Sequence, residues 1–533
     1  MKLLRNTFMM ALAAIFLNST PAVAVIDNPM TLAVIKVYEN QLKVNPEDYM
    51  TWFRKANEYY RHNEYMRALD DVNNALKYAS GSDTDLRFQA YLLRAGIYNE
   101  LGKYQNALVD LNSALALDAT SYAAYNQRAN THFNLANYAA AREDYAKLQR
   151  INPRSPEALI GMARCAVKEN NLSAASDYLE QAETVAPNNS EIYVRRAGVR
   201  KLMGDHNGAV EDLISAISID PNDAKSIQSL VDYGNTNYPA TIAGLTNAIN
   251  LAPQNGLYRY LRASIAQAHY NYLSAIDDFQ VIIDQRLYNY HGLYASIAQC
   301  LYGLGRYQEA LDNIGTALNS TTNVAGYYVL RSQILRAMGL HDDAINASAT
   351  ALAVDRNHVP GLIEMSLNYV DKKDYDQAAS LLGEASMVDD NDPYVYLLRA
   401  WVLATFLNQP VAAKQFYEQA LMVEGYDDSN VRSLKGFALY NLGRCDEGDV
   451  WMDNIVNNVV DNDGLNNYYG ACYYMLREND EKALQCVENS LKAGYSDNHN
   501  WMMNNDGQIN AGVLRDDLRF LRLMQSYNSI FGK

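Results

Sequence analysis

Residues 122–153 read YAAYNQRANTHFNLANYAAAREDYAKLQRINP, and this stretch decides the fold. Counted from Tyr122, an aromatic stands at position 4 (Tyr125), a small residue at 8 (Ala129) and Ala at 20 (Ala141). Tyr145 follows at 24, Leu148 at 27 and Pro153 at 32. Spacings of three and four place such residues on one face of a helix. A turn near Asn137 divides the stretch in two, and Pro153 stops the second half. The pattern predicts a helical hairpin that cannot bury its apolar stripe by itself.

The unit recurs along the chain, marked by Ala68, Ala107, Ala141, Ala175, Ala209, Ala275, Ala310, Ala344, Ala378, Ala413 and Ala483. Most steps are 34 or 35 residues, and the two widest, 209 to 275 and 413 to 483, each span two units. A fixed period of this length means stacked hairpins, each covering the stripe of its neighbour. The stretch from Ser190 to Pro221 repeats the pattern with Tyr193, Ala197, Ala209, Leu213 and Ala216. Gly102, Gly204, Gly305, Gly339 and Gly443 stand at the mid-unit turn, and Pro187 and Pro253 end further units. The stretch Gly81–Asp85, which lengthens one step, is expected to be a longer loop. Small residues at 8 and 20 allow the two helices to cross closely. A bulky replacement at Ala141 should cost about 1–3 kcal/mol by overpacking.

With an aromatic at 4, a small residue at 8, Ala at 20 and Pro at 32, the chain resembles the tetratricopeptide repeat family. The resemblance implies an all-α fold, a TPR-type α-solenoid in which stacked hairpins wind into a right-handed superhelix. It covers residues 49–493 as about thirteen repeats. The same solenoid serves many partners, so the resemblance implies a fold more firmly than a function.

A second pattern joins position 7 to position 23. Lys55 precedes Asp71, Arg94 precedes Asp110, Arg128 precedes Asp144, Arg196 precedes Asp212 and Arg262 precedes Asp278, always by sixteen residues. Antiparallel helices bring these positions together, so a structural ion pair within or between hairpins is expected. Arg331 and Arg399 break the rule, with Ala347 and the region of Phe416 where the acid should be.

The termini read differently. Lys2 and Arg5, the apolar run Phe8 to Leu17 and Ala22-Val23-Ala24 read as a cleavable signal peptide, expected over residues 1–24. The mature protein is expected to be periplasmic or secreted, from a bacterium, with no membrane span after signal removal. Residues 25–48 are expected to form an N-terminal capping helix and 494–533 a C-terminal helical cap, the latter on Trp501, Asp506, Leu514-Arg515 and Arg519-Phe520. The formal charge of −16 becomes −18 once Lys2 and Arg5 are removed, which disfavours nucleic acid as a partner.

Catalytic and metal-binding patterns are missing. There is no P-loop, GxGxxG after a strand, GxSxG or HExxH. The five cysteines (Cys165, Cys300, Cys445, Cys472, Cys486) lack metal-ligand spacing, although Cys445 and Cys472 fall in adjacent units. Asp461 to Gly464 and Asn505 to Gly507 are fragments of a calcium loop and read as turns. The chain is therefore read as no enzyme, without cofactor or metal.

Function is expected on the concave surface lined by first helices, at positions near 2, 5, 9 and 12. Early units are polar there, with Asn57, Asn99, Asn126 and Asn130 beside Phe53, Tyr60 and Phe133. The last three are aromatic, with Tyr394, Trp401, Phe437, Tyr440 and Tyr468. Aromatics at exposed positions are usual anchors of a binding surface. They also pack on one another where such a groove tightens. The expected function is a protein- or peptide-binding scaffold of the bacterial cell envelope. The alternative is glycan binding by the aromatic C-terminal part of the groove.

Overall fold

The computed structural model describes residues 29–287, 292–423, 429–459, 464–493, 519, 522 and 523. The expected signal peptide, and nearly all of the expected C-terminal cap, lie outside the described residues. Among those described, all regular structure is helical: a single helix, Pro29–Val44, then thirteen pairs, from Tyr49–Arg61 with Tyr65–Tyr78 to Leu465–Leu476 with Asp480–Lys492. The chain divides into two compact units at Leu251 and Ala252. No described helix is long and apolar enough to cross a membrane.

Local chemistry sets each hairpin. Ser121 Oγ accepts from the Ala124 N–H at 3.2 Å and starts the helix Tyr122–Asn134. The mid-hairpin turn needs one left-handed residue. Gly102, Gly204, Gly305, Gly339 and Gly443 supply it with φ between 69° and 78°, whereas Ala136 (φ 59°) and Tyr270 (φ 58°) adopt the same region against their Cβ. Ala129 and Ala141 are fully buried where the helices cross. At position 8 in two later hairpins, Ser332 and Ser366 donate instead to the carbonyls of Ala344 and Ala378, at 2.8 and 3.0 Å.

The two double-length steps contain complete hairpins. Thr241 takes the place of Ala in Tyr238–Leu251, where it is buried with Leu245 and Ala248 four and seven residues on. Gly448 takes that place in Cys445–Asn458, since a Cβ there would lie 2.4 Å from Tyr473 Oη. Of the Gly81–Asp85 insertion, Gly81 to Asp83 form the expected loop, whereas Thr84 and Asp85 are helical. Asp83 accepts from the Leu86 N–H, and the helix begins at Thr84 and runs seventeen residues against thirteen in Tyr49–Arg61 and Tyr122–Asn134, so the step is lengthened mainly by an added helical turn.

Within each unit, most consecutive first helices touch one another, whereas second helices meet chiefly the next first helix. The first helices therefore line the inner side of each stack. One exception is the pair His206–Ile219 and Tyr238–Leu251, so close that a Cβ on Gly244 would lie 2.4 Å from Val210 Cγ1. At the start of the stack, Pro29–Val44 packs Ile35 against the first hairpin and leaves Met30, Val37 and Val44 exposed. At the far end Leu523 packs on the cluster around Tyr469 and Tyr473.

Candidate functional site

The sixteen-residue pairs are formed. Lys55 Nζ meets Asp71 at 3.1 Å. Arg94, Arg128 and Arg262 each grip their Asp with two bonds of 2.7 to 2.8 Å. Arg196 grips Asp212 in the same way, at 2.8 and 3.1 Å. All five acids are buried. The remaining edge of the guanidinium reaches back one hairpin: Arg94 to Asn73 at 2.8 Å, Arg128 to Asn112 at 2.7 Å, and Arg196 to Glu183. All five pairs tie a hairpin to itself and three of them also tie it to its predecessor, which assigns these bases to structure. At Asp71, burial outweighs the attraction of Lys55 and pushes the carboxyl up to about 6.

The later hairpins use other polar ties. Arg336 bonds Glu364 at 2.9 Å, both buried and on successive first helices, with Ser332, Ser348 and Asn368 hydrogen-bonded beside them. Near the end, Arg477 grips Asp449 and Lys482 grips Asp453, while the hydroxyls of Tyr473 and Tyr474 donate to the same two acids.

Exposure separates most first helices of the two units, the exception being Pro156–Lys168 of the first unit, where eight of thirteen residues are buried as in Val359–Asp371 and Pro393–Thr405 of the second. In Tyr49–Arg61 and in Tyr122–Asn134, three of thirteen residues are buried. In Gly292–Gly303 nine of twelve are buried, and in Leu465–Leu476 eleven of twelve. The expected aromatic anchors follow that division. Tyr394, Phe437 and Tyr468 are only 5%, 6% and 8% exposed. Phe437 packs edge-on to Tyr473 at 5.7 Å and to Tyr469 at 6.4 Å. These three rings are core, because the first helices of the second unit are enclosed by their own neighbours. Trp401 and Tyr440 stay half-buried. Trp401 meets Phe406 edge-on at 5.0 Å, and Phe406 stacks on Tyr375 at 4.5 Å. With three of its five rings enclosed, the aromatic end offers little face for stacking on a sugar.

The polar residues of the first unit are accessible in part. Asn57, Asn99, Asn126 and Asn130 are half-buried, as are Phe53, Tyr60 and Phe133. Asn57 and Asn130 donate to the carbonyls one turn back, of Phe53 and Asn126, at 3.1 and 3.0 Å. Asn130 Oδ1 also accepts from Tyr145 Oη at 2.9 Å and from Arg164 at 3.2 Å, so its amide is engaged by the fold. Asn126 keeps its amide N–H2 free among the described residues. Arg164, absent from the sequence expectations, lies 4.2 Å above the Phe133 ring. One repeat of 34 residues counted from Asn130 would have found it. Together Asn126, Phe133 and Arg164 form a patch of amide, ring and cation suited to the polar main chain and apolar side chains of a peptide.

Among the described residues no reactive group stands out. The five cysteines are thiols, so Cys445 and Cys472 are not joined. Burial pushes Cys165 up to about 11 and Cys472 up to about 12, which leaves both inert. Burial lowers His132, whose Nδ1 is enclosed without a bond. Among the described residues no group of His, Cys, Asp and Glu is arranged to hold a metal ion. The calcium-loop fragments fall outside the described residues except for Gly464.

Models described as tetratricopeptide repeat match residues 53–124, 135–197, 190–223 and 335–402. Tetratricopeptide repeat protein 16 of Macaca fascicularis is 25% identical over 195 residues, 34% of this chain and 22% of that protein. The Hsp70-Hsp90 organizing protein of Triticum aestivum is 26% identical over 188 residues, 34% of this chain and 31% of that protein. Tetratricopeptide repeat protein 12 of Mus musculus is 35% identical over 100 residues, 19% of this chain and 14% of that protein. The chain thus spans less than a third of the length of each of these relatives. Among solved structures, yeast Tom70 aligns over 77% of this chain and 97% of its own, at 15% identity and a TM-score of 0.37. A repeat protein from Parabacteroides merdae aligns over 48% of this chain and 98% of its own, at 19% identity and a TM-score of 0.32.

Proposed function

We propose that this chain is a tetratricopeptide repeat protein, in keeping with the repeat models it matches, and a non-catalytic scaffold that holds a protein or peptide partner. The partner lies along the inner surface of the first unit, on Asn57, Tyr60, Asn126, Phe133 and Arg164. The observation that carries this reading is the difference in burial: three of thirteen residues in Tyr122–Asn134 against eleven of twelve in Leu465–Leu476. A surface whose amides and rings are half-open has contacts to give, whereas an enclosed one does not. The excess of 61 acids over 45 bases favours a partner that is neutral or basic overall. The leader-like pattern of residues 1–24 supports a setting outside the bacterial cytoplasm, in the periplasm or beyond.

The test compares two variants in affinity capture from envelope extract. Asn126→Ala with Phe133→Ala should lose the partner that the wild-type chain retains. Trp401→Ala with Tyr440→Ala should keep it. Loss with the second pair and retention with the first would reverse the assignment. Circular dichroism should show both variants fully helical.

A further inference from the structure

In five hairpins the base at position 7 has a buried carboxylate beside it and, in three of them, a polar side chain from the hairpin before. The hairpin 393–422 keeps the base, Arg399, and changes everything around it. The acid at position 23 is replaced by Phe416, whose ring centre lies 4.3 Å from the guanidinium carbon. The positions of the preceding hairpin that elsewhere carry Asn73, Asn112 and Glu183 carry Gly383 and Ser386. A Cβ on Gly383 would lie 3.2 Å from Arg399 Nη2, so the missing side chain leaves room for the guanidinium to lie close to the Gly383 backbone. Nη1 reaches Ser386 Oγ only at 3.5 Å, and Nε is buried without a partner.

Two other bases at this position lack the acid, and both are accounted for. Arg331 is exposed and solvated. Lys435 donates to the Val423 carbonyl at 3.3 Å, at the end of a helix. Arg399 alone of the three is half-buried with neither water on all sides nor a strong acceptor. Burial lowers its guanidinium from its usual range and no carboxylate offsets that. A desolvated cation of this kind is costly until an anion meets it. In a chain with 61 acids and 45 bases, acids to pair it are plentiful.

We propose that Arg399 is a docking point for a carboxylate supplied by a partner: an Asp or Glu of an acidic peptide segment supplies from outside the charge that Asp110 and Asp144 supply within their own hairpins, at the terminal Nη1–Nη2 edge, since Phe416 fills their position and Nε is enclosed. The Phe416 ring lies over the guanidinium and Nε is enclosed, so the carboxylate meets the edge formed by Nη1 and Nη2, and the planar fork favours a two-bond grip over a point contact. The site belongs to the second unit and is independent of the inner surface of the first.

The full chain is titrated with a fluorescein-labelled tetraglutamate peptide and with its tetraglutamine counterpart, read by anisotropy. The wild type should bind the tetraglutamate at least tenfold more tightly than Arg399→Leu, and should not bind the tetraglutamine. Arg399→Lys should fall between, since it keeps the charge and loses the fork. Phe416→Asp gives the hairpin its own acid and should compete the peptide away. Helical content is checked for each variant, and Arg399→Lys serves if Arg399→Leu fails to fold. Equal binding by wild type and Arg399→Leu, or by the two peptides, overturns the proposal. Either result leaves the inner-surface reading standing, because that is scored separately through Asn126 and Phe133.

Discussion

The helices Tyr122–Asn134 and Leu465–Leu476 are both the first helix of their hairpin, yet three residues of one and eleven of the other are buried. The early helix presents amides and a ring to its inner side. The late one surrounds Tyr473 and Tyr474 with neighbours. Stacking hairpins does not by itself produce a groove. The space inside depends on how closely successive first helices approach and on what fills the gap. In the first unit the charged ties of this spacing are Lys–Asp and Arg–Asp pairs between first and second helices, which leave the inner side free. The second unit keeps one such pair, Arg262 with Asp278, and adds Arg336 with Glu364, which ties first helix to first helix and takes up inner space.

The largest predicted effects come from breaking those ties. Asp144→Ala leaves Arg128 without its acid and should destabilise the first unit by about 3–5 kcal/mol, read from denaturant unfolding. Glu364→Ala should cost the second unit a similar amount. Replacing Arg128 and Asp144 together by Met and Leu should recover most of the loss, because the cost lies in the unpaired charge.

Equivalent rings sharpen the comparison. Phe437→Ala should cost about 3–5 kcal/mol, as truncation of a buried ring does. Phe133→Ala should cost about 1 kcal/mol, since less of its surface leaves water. Equal losses would mean that the first unit is as enclosed as the second.

Asp71 gives the pH dependence. Its folded value, about 6, stands above the ordinary 3.8. The folded form therefore keeps a proton that the unfolded chain has released. This contribution is full below about pH 4 and is lost as pH rises through about 6. Melting of the wild type should fall over that range relative to Asp71→Asn. A constant difference from pH 4 to 7 would contradict the assignment.

The smallest effect is at the turn. Ala136→Gly relieves a left-handed Cβ and should stabilise by about 0.5–1 kcal/mol after the added freedom of the unfolded chain. Gly102→Ala, at the matching turn, should do the reverse.

Much of the hairpin architecture was legible because each small residue has a steric duty that only a few side chains meet. Ala at 8 and 20 exposed the period, and the constant sixteen-residue spacing exposed the ion pairs. Thr241 and Gly448 do not mark the period because they perform that duty without being Ala. The extra turn of Thr84–Glu100 looked like a loop because Gly81 and Ser82 announce one before Asp83 caps the helix. The candidate site was less legible. Periodicity tells which face of a helix turns inward, but not how near the next helix lies, so Tyr394, Phe437 and Tyr468 read as open when they are enclosed. Asn130 looked available until Tyr145 and Arg164 were seen to occupy it.

Hydroxyl-radical footprinting with mass spectrometry tests the central contrast most directly. Tyr60 and Phe133 should oxidise readily in the free chain, while Tyr394, Phe437 and Tyr468 stay protected until the protein unfolds. Comparable oxidation of the two sets in the folded chain would contradict an open first unit and an enclosed second.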